Sequence, residues 1–110
     1  MLIAGGMIAK DKMAVNMVRE PEAAQLSRCF VYVLGSGTGG DIRTYVGWTT
    51  DLARRLAAHN SGTGARSTRG RQWELLYAEC YLSKSDAMRR EWHLKRDRKF
   101  RATLRQSVFP

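Results

Sequence analysis

Residues 44–60 read TYVGWTTDLARRLAAHN, and the way this stretch divides decides the architecture. Its first five residues have the aromatic and β-branched content of a strand. Three consecutive N-cap formers, Thr49, Thr50 and Asp51, then precede LARRLAAHN. A side-chain oxygen at one of them can accept from an amide in the first turn of a helix, and the glycines of SGTGAR (61–66) end it. A strand is therefore expected to run straight into a helix.

Working upstream, CFVYVL (29–34) is a second strand-like run, and GSGTGGD (35–41) supplies the turn residues of a long hairpin loop. Downstream, a basic loop GARSTRGR (64–71) leads to WELLYAECY (73–81), which mixes aromatic and aliphatic residues like a third strand. Ser83 or Ser85 then caps a second helix expected from about residue 86 to residue 99. FRATLRQ (100–106) adds either a helical turn or a third helix. The order β-β-α-β-α describes an α+β domain with a small three-stranded antiparallel sheet flanked by helices.

The chain has 110 residues, enough for one domain, which we place at 29–110. Residues 1–28 show no sustained hydrophobic period and are expected to be either a flexible extension or the product of a mis-assigned start. Charge separates the two parts: 1–28 carry four basic and three acidic side chains, the remainder 15 and seven. The expected folded part is thus the basic part, and its partner should be polyanionic, such as nucleic acid or an anionic membrane surface. The opening MLIAGGMIA falls short of the roughly 18 apolar residues of a membrane span. Cys29 and Cys80 lack metal or redox spacing. Both features fit a soluble cytoplasmic protein with buried thiols.

At about 100° per residue, the first helix places Leu52, Leu56 and His59 together, with Arg55 at the margin and Arg54 on the wetter side. On the second, Ala87, Met88, Trp92 and Leu94 form an apolar arc that includes Glu91. A carboxylate there requires a positive partner, because an unpaired buried charge is heavily penalised. Helix geometry offers Lys95, four residues on. Arg89, Arg90, His93 and Arg96 line the other face as either a solvated surface or a footprint for phosphates.

FVY at 30–32, YVG at 45–47, DLARRLAAHN at 51–60, the block 62–79 and SDAMRREWHLK at 85–95 follow one another at suitable spacing. In this the chain resembles the GIY-YIG nuclease superfamily, in particular its small stand-alone bacterial members, although Phe30 stands where the first motif has glycine. The resemblance implies metal-dependent hydrolysis of DNA phosphodiesters, with Mg²⁺ as the cofactor and Mn²⁺ as a second candidate. It implies that Tyr32, Tyr45, Arg55, His59 and Glu91 form the catalytic set, with Glu91 holding the metal. Arg66, Arg69, Arg71, Arg89, Arg90, Lys95 and Arg96 are the expected nucleic-acid contacts. Tyr45 is the expected partner of the attacking water, with Tyr32 or His59 orienting it. The substrate is expected to be structured or single-stranded DNA, met in repair, recombination or uptake. A separate protein partner for targeting is an option, and the oligomeric state is open. The competing function is a noncatalytic nucleic-acid-binding module in which Glu91 pairs with Lys95.

Overall fold

The computed structural model describes residues 7–8, 28–37 and 40–109. Strands β1 (Met7–Ile8), β2 (Cys29–Ser36), β3 (Arg43–Thr49) and β4 (Glu74–Tyr81) form one antiparallel sheet in the order β1-β4-β2-β3. The three longer strands are those expected, and the two residues of β1 extend the sheet beyond β4. Apart from Met7–Ile8 and Arg28, the expected N-terminal extension lies outside the described residues, as do positions 38 and 39 of the hairpin loop.

Alternation along β2 sends its side chains to two different cores. Val31 and Val33 join Val46, Leu76, Ala87, Leu94 and Leu104 on one side, whereas Tyr32 and Leu34 join Trp73, Leu75 and Ala78 on the other. Helix α1 (Leu52–Ser61) contributes Leu52 and Leu56 to the Tyr32 side. Helices α2 (Lys84–Arg96) and α3 (Arg98–Val108) cover the Val31 side. The pairing between β2 and β4 slips by one residue after Val33↔Tyr77, and Leu34 then faces Leu75. Leu76 is the extra residue, so Leu76 and Tyr77, though adjacent, both contribute to the Val31 side.

Caps explain the helix boundaries. Asp51 accepts from the Arg54 amide at 3.1 Å to start α1, and Gly62, at φ 83°, closes it in the left-handed conformation. Ser83 accepts from the Asp86 amide at 3.1 Å to start α2. The expected single helix to residue 99 is instead broken at Asp97, which caps α3 through the Phe100 amide at 3.1 Å. Arg101 folds back across this break, donating to the Lys95 carbonyl at 2.7 Å and to Thr44 Oγ1 at 3.0 Å. The last turn of α2 is thereby tied to edge strand β3.

A buried carboxylate fixes the rotation of α2 about its axis. Glu79 on β4 is 6% exposed and accepts from the hydroxyls of Tyr77 and Tyr81 at 2.6 and 2.5 Å. It also receives a two-pronged contact from Arg90, at 2.8 and 3.0 Å. Burial opposes ionisation of Glu79, but the hydrogen bonds from Arg90, Tyr77 and Tyr81 outweigh it and hold its pKa below the usual value. Arg90 was expected to contact phosphate; it is committed inward to this carboxylate.

Cys29 and Cys80 are both buried and are not joined in a disulfide. Among the described residues, no helix is long and apolar enough to cross a membrane.

Candidate active site

Tyr32, Tyr45, Arg55 and His59 come from three consecutive elements and meet on the α1 side of the sheet. His59 ends the inward stripe of α1 and is fully buried, and its Nε2 lies 2.8 Å from the Tyr32 hydroxyl. The Tyr45 ring packs on the imidazole at 4.8 Å between centroids and lies 6.4 Å from the Tyr32 ring. Arg55, one turn before His59, is half-buried with its guanidinium at the Tyr32 hydroxyl, while Arg54 is exposed. The two arginines divide as the helix periodicity requires.

The electrostatics follow from this packing. Burial, the largest cause, pushes the Tyr32 phenol up to about 12; Arg55 opposes the shift, while Tyr45 and Glu91 add to it. Burial, and then the neighbouring Arg55 charge, lower the pKa of His59, so its imidazole is neutral at pH 7. The contact of its guanidinium with the Tyr32 oxygen, opposed by burial, raises the already high pKa of Arg55. This arginine is therefore a permanent cation.

Glu91 is carried by α2, one residue beyond the inward-turned Arg90, and its charge is felt at the Tyr32 phenol. Its side chain is 22% exposed, and Lys95 lies 3.7 Å away. The helical partner is thus present, at the long end of an ion-pair contact. The apolar arc expected around Glu91 is only partly covered: Ala87 and Leu94 are fully buried, but Met88 and Trp92 are 47% and 53% exposed. Arg96 stacks on Trp92 at 3.7 Å from the ring centroid.

Among the other expected nucleic-acid contacts, Arg66, Arg69, Arg89, Lys95 and Arg96 are exposed. Arg71, like Arg90, already has protein partners. It donates to Ser36 Oγ at 3.0 Å and also bonds the Ser36 carbonyl and Asp41, so it braces the hairpin loop. No group of three or more His, Cys, Asp or Glu side chains able to hold a metal occurs among the described residues.

Two glycines provide the space that this cluster occupies. Gly47 pairs with Tyr32 across β2 and β3, and a Cβ there would lie 2.5 Å from the phenol oxygen and 2.8 Å from Cζ. Gly47 lies within β3, and its role is to let the Tyr32 phenol lie across the neighbouring strand. A Cβ on Gly64 would lie 2.6 Å from His59 Nδ1. Neither atom could yield easily, because phenol and imidazole are bonded to each other in a close-packed interior. Gly47→Ala is therefore expected to cost about 1–3 kcal/mol in stability and to reduce any phosphodiester cleavage about 100-fold by displacing Tyr32. Chemical denaturation and a cleavage assay on the same preparation measure both. Full activity in the variant would show that the phenol has no need of this space.

Thr68 was not singled out among the arginines of its loop, yet it is fully buried, with Oγ1 2.8 Å from His59 Nδ1. The loop is held in place from both ends. Asn60 accepts from the Trp73 amide at 2.6 Å and donates to the Trp73 carbonyl at 3.0 Å, and Trp73 Nε1 donates to the Thr68 carbonyl at 2.7 Å. Trp73 thus packs and braces. A signal for Thr68 existed only in its being, with Ser67, one of two uncharged hydroxyl residues between Arg66 and Arg69.

Residues 28–104 match the family model described as the GIY-YIG catalytic domain. The chain is a GIY-YIG family protein. Similar proteins include a UPF0213 protein of Streptococcus pneumoniae, 45% identical over 66% of this chain and 71% of the relative. Another is a UPF0213 protein of Halobacterium salinarum, 48% identical over 59% of this chain and 82% of the relative. No solved structure matched significantly. The GIY-YIG match takes in the whole cluster described above and places the domain in a nuclease family whose members generally use divalent metal ions.

Proposed function

We propose that this GIY-YIG domain is a divalent-metal-dependent endonuclease that hydrolyses phosphodiester bonds of structured or single-stranded DNA in the cytoplasm. One observation carries the reading. A permanent cation, Arg55, sits beside two phenols and a neutral buried imidazole, within the electrostatic reach of a lone carboxylate, Glu91. Attack on a phosphodiester builds negative charge on the nonbridging and leaving oxygens, and Arg55 is fixed where it can meet the former.

Glu91 would hold the metal. A single half-buried carboxylate suits Mg²⁺, or Mn²⁺, because such ions keep several waters and take phosphate oxygens of the substrate as further ligands. The metal, when bound, stabilises developing negative charge at the phosphate. Lys95 moves little to release Glu91, since a partly exposed pair four residues apart is worth only about 0.3–0.5 kcal/mol. Tyr45, half-buried and not hydrogen-bonded to His59, is the phenol left to orient water. The exposed Arg66, Arg69, Arg89, Lys95 and Arg96 would hold backbone phosphates with little base readout.

The Glu91–Lys95 contact also favours the second reading, a noncatalytic nucleic-acid-binding module on the same scaffold. Incubation with labelled single-stranded, duplex, flapped and four-way DNA, with Mg²⁺, with Mn²⁺ or with chelator, separates them. The nuclease cuts at least one substrate in metal and none in chelator. Binding of every substrate with cutting of none would establish the module instead.

A further inference from the structure

The hydroxyl of Thr68 has one hydrogen and two neighbours that compete for it. Oγ1 lies 2.7 Å from the Ala65 carbonyl and 2.8 Å from His59 Nδ1. A carbonyl only accepts, so the Thr68 hydrogen goes to Ala65, and Oγ1 presents a lone pair to the imidazole. Nδ1 must then carry the ring hydrogen. In the neutral ring, Nε2 is left as the acceptor, and the 2.8 Å contact to Tyr32 is a bond donated by the phenol. The lone pairs of the Tyr32 oxygen are left for Arg55.

From this chain of bonds we infer that Thr68 is a positioning residue that selects the Nδ1–H form of His59 and thereby aims the Tyr32 hydroxyl hydrogen inward and its lone pairs toward the phosphate-binding cation. Thr68 is fully buried, so it acts through His59 and touches no substrate. Its own placement is rigid: its amide also donates to Ala65, at 3.0 Å, and its carbonyl accepts from Trp73. Gly64 allows the loop to lie against the imidazole at this distance. Without the Thr68 oxygen, Nδ1–H would be a buried donor with no acceptor. The ring would then gain by moving its hydrogen to Nε2, where Tyr32 can accept it. The phenol would be turned round and its hydrogen would face Arg55, the wrong polarity for a site that gathers negative charge.

The consequence for catalysis rests on the nuclease reading, but the tautomer does not. The chain has two histidines, His59 and His93, so long-range proton-nitrogen correlation spectra of ¹⁵N-labelled protein at neutral pH, with His93→Gln for assignment, report the ring directly. Wild type and Thr68→Ser are expected to show Nδ1–H at His59. Thr68→Val, nearly equal in shape, is expected to shift the ring toward Nε2–H. In single-substrate DNA kinetics, Thr68→Val is expected to lower kcat about 100-fold with little change in KM, and Thr68→Ser to restore it. An Nε2–H ring in wild type overturns the inference whether or not any DNA is cut. So does a Thr68→Val protein that keeps the wild-type tautomer, or that turns over at the wild-type rate. Absence of cleavage in wild type with the expected spectra would instead count against the nuclease reading alone.

Discussion

Glu91→Ala is expected to lower DNA cleavage by on the order of a thousand-fold or more, while the protein melts close to the wild-type temperature. The two halves of this expectation have separate grounds. Activity falls because, on the proposed reading, Glu91 is the carboxylate that holds the metal. Stability survives because Glu91 is bonded to nothing deeper than Lys95, at 3.7 Å, with that lysine half exposed. Arg55→Ala is the companion. Loss of a fixed donor aimed at transition-state charge typically removes about 10²–10³ in rate, and here it also strips Tyr32 of its cation. Cleavage rates with saturating Mg²⁺, set beside thermal unfolding curves, measure both. If either variant cuts at the wild-type rate, the assignment of that residue is wrong.

Glu79→Ala, one strand away, has the opposite signature: an expected loss of about 3–5 kcal/mol in stability. Natural domains are stable by about 5–15 kcal/mol, so the variant would be at the edge of folding. The alanine leaves two phenols and the Arg90 guanidinium facing a space where a carboxylate had accepted four bonds. Urea denaturation of Glu79→Ala, Arg90→Ala and the double variant tests this. The double variant should be no less stable than Glu79→Ala, since the unpaired charge is then gone. Strict additivity would show that the two groups do not act as a pair.

The same cluster sets pH limits. The Glu79 carboxyl titrates below its usual value, so its stabilisation is present above the ordinary carboxylate range and is lost as the pH falls through the lowered pKa. The phenols act at the other end. Burial pushes Tyr32 and Tyr77 up to about 12 and Tyr81 higher still, with the Glu79 contacts adding to the last two. Stability from these groups is full below the ordinary tyrosine pKa of about 10 and falls as the pH rises toward the shifted values.

The sequence exposed the parts of this molecule that depend on local chemistry or on one helical period. Asp51, Ser83 and Gly62 act where cap chemistry requires, and Leu52, Leu56 and His59 share a stripe because 3.6 residues make a turn. The GIY-YIG motifs carried Tyr32 and Tyr45 to one place. What stayed hidden depends on partners distant in the chain. A wheel drawn for α2 orders its residues around the axis, but it cannot say how wide the covering surface is. The sheet shields the line through Ala87 and Leu94 and stops short of Met88 and Trp92. Arg90 looks like any other cation of its helix until Glu79 arrives from β4. The break at Asp97 was visible only as one more polar residue, because the fold-back of Arg101 onto Lys95 and Thr44 is a tertiary event.

The space above Gly47, filled by the Tyr32 phenol, has a consequence for anyone wishing to move this cluster elsewhere. Copying Tyr32, Tyr45, Arg55, His59 and Glu91 onto another antiparallel sheet transfers functional groups but not the missing methyl that lets one phenol lie across its neighbouring strand. A host with alanine or valine at the paired position would hold every transplanted side chain and still point the tyrosine away from the histidine. In a search for such hosts, the first filter is a residue with no side chain, at the one register position opposite the tyrosine.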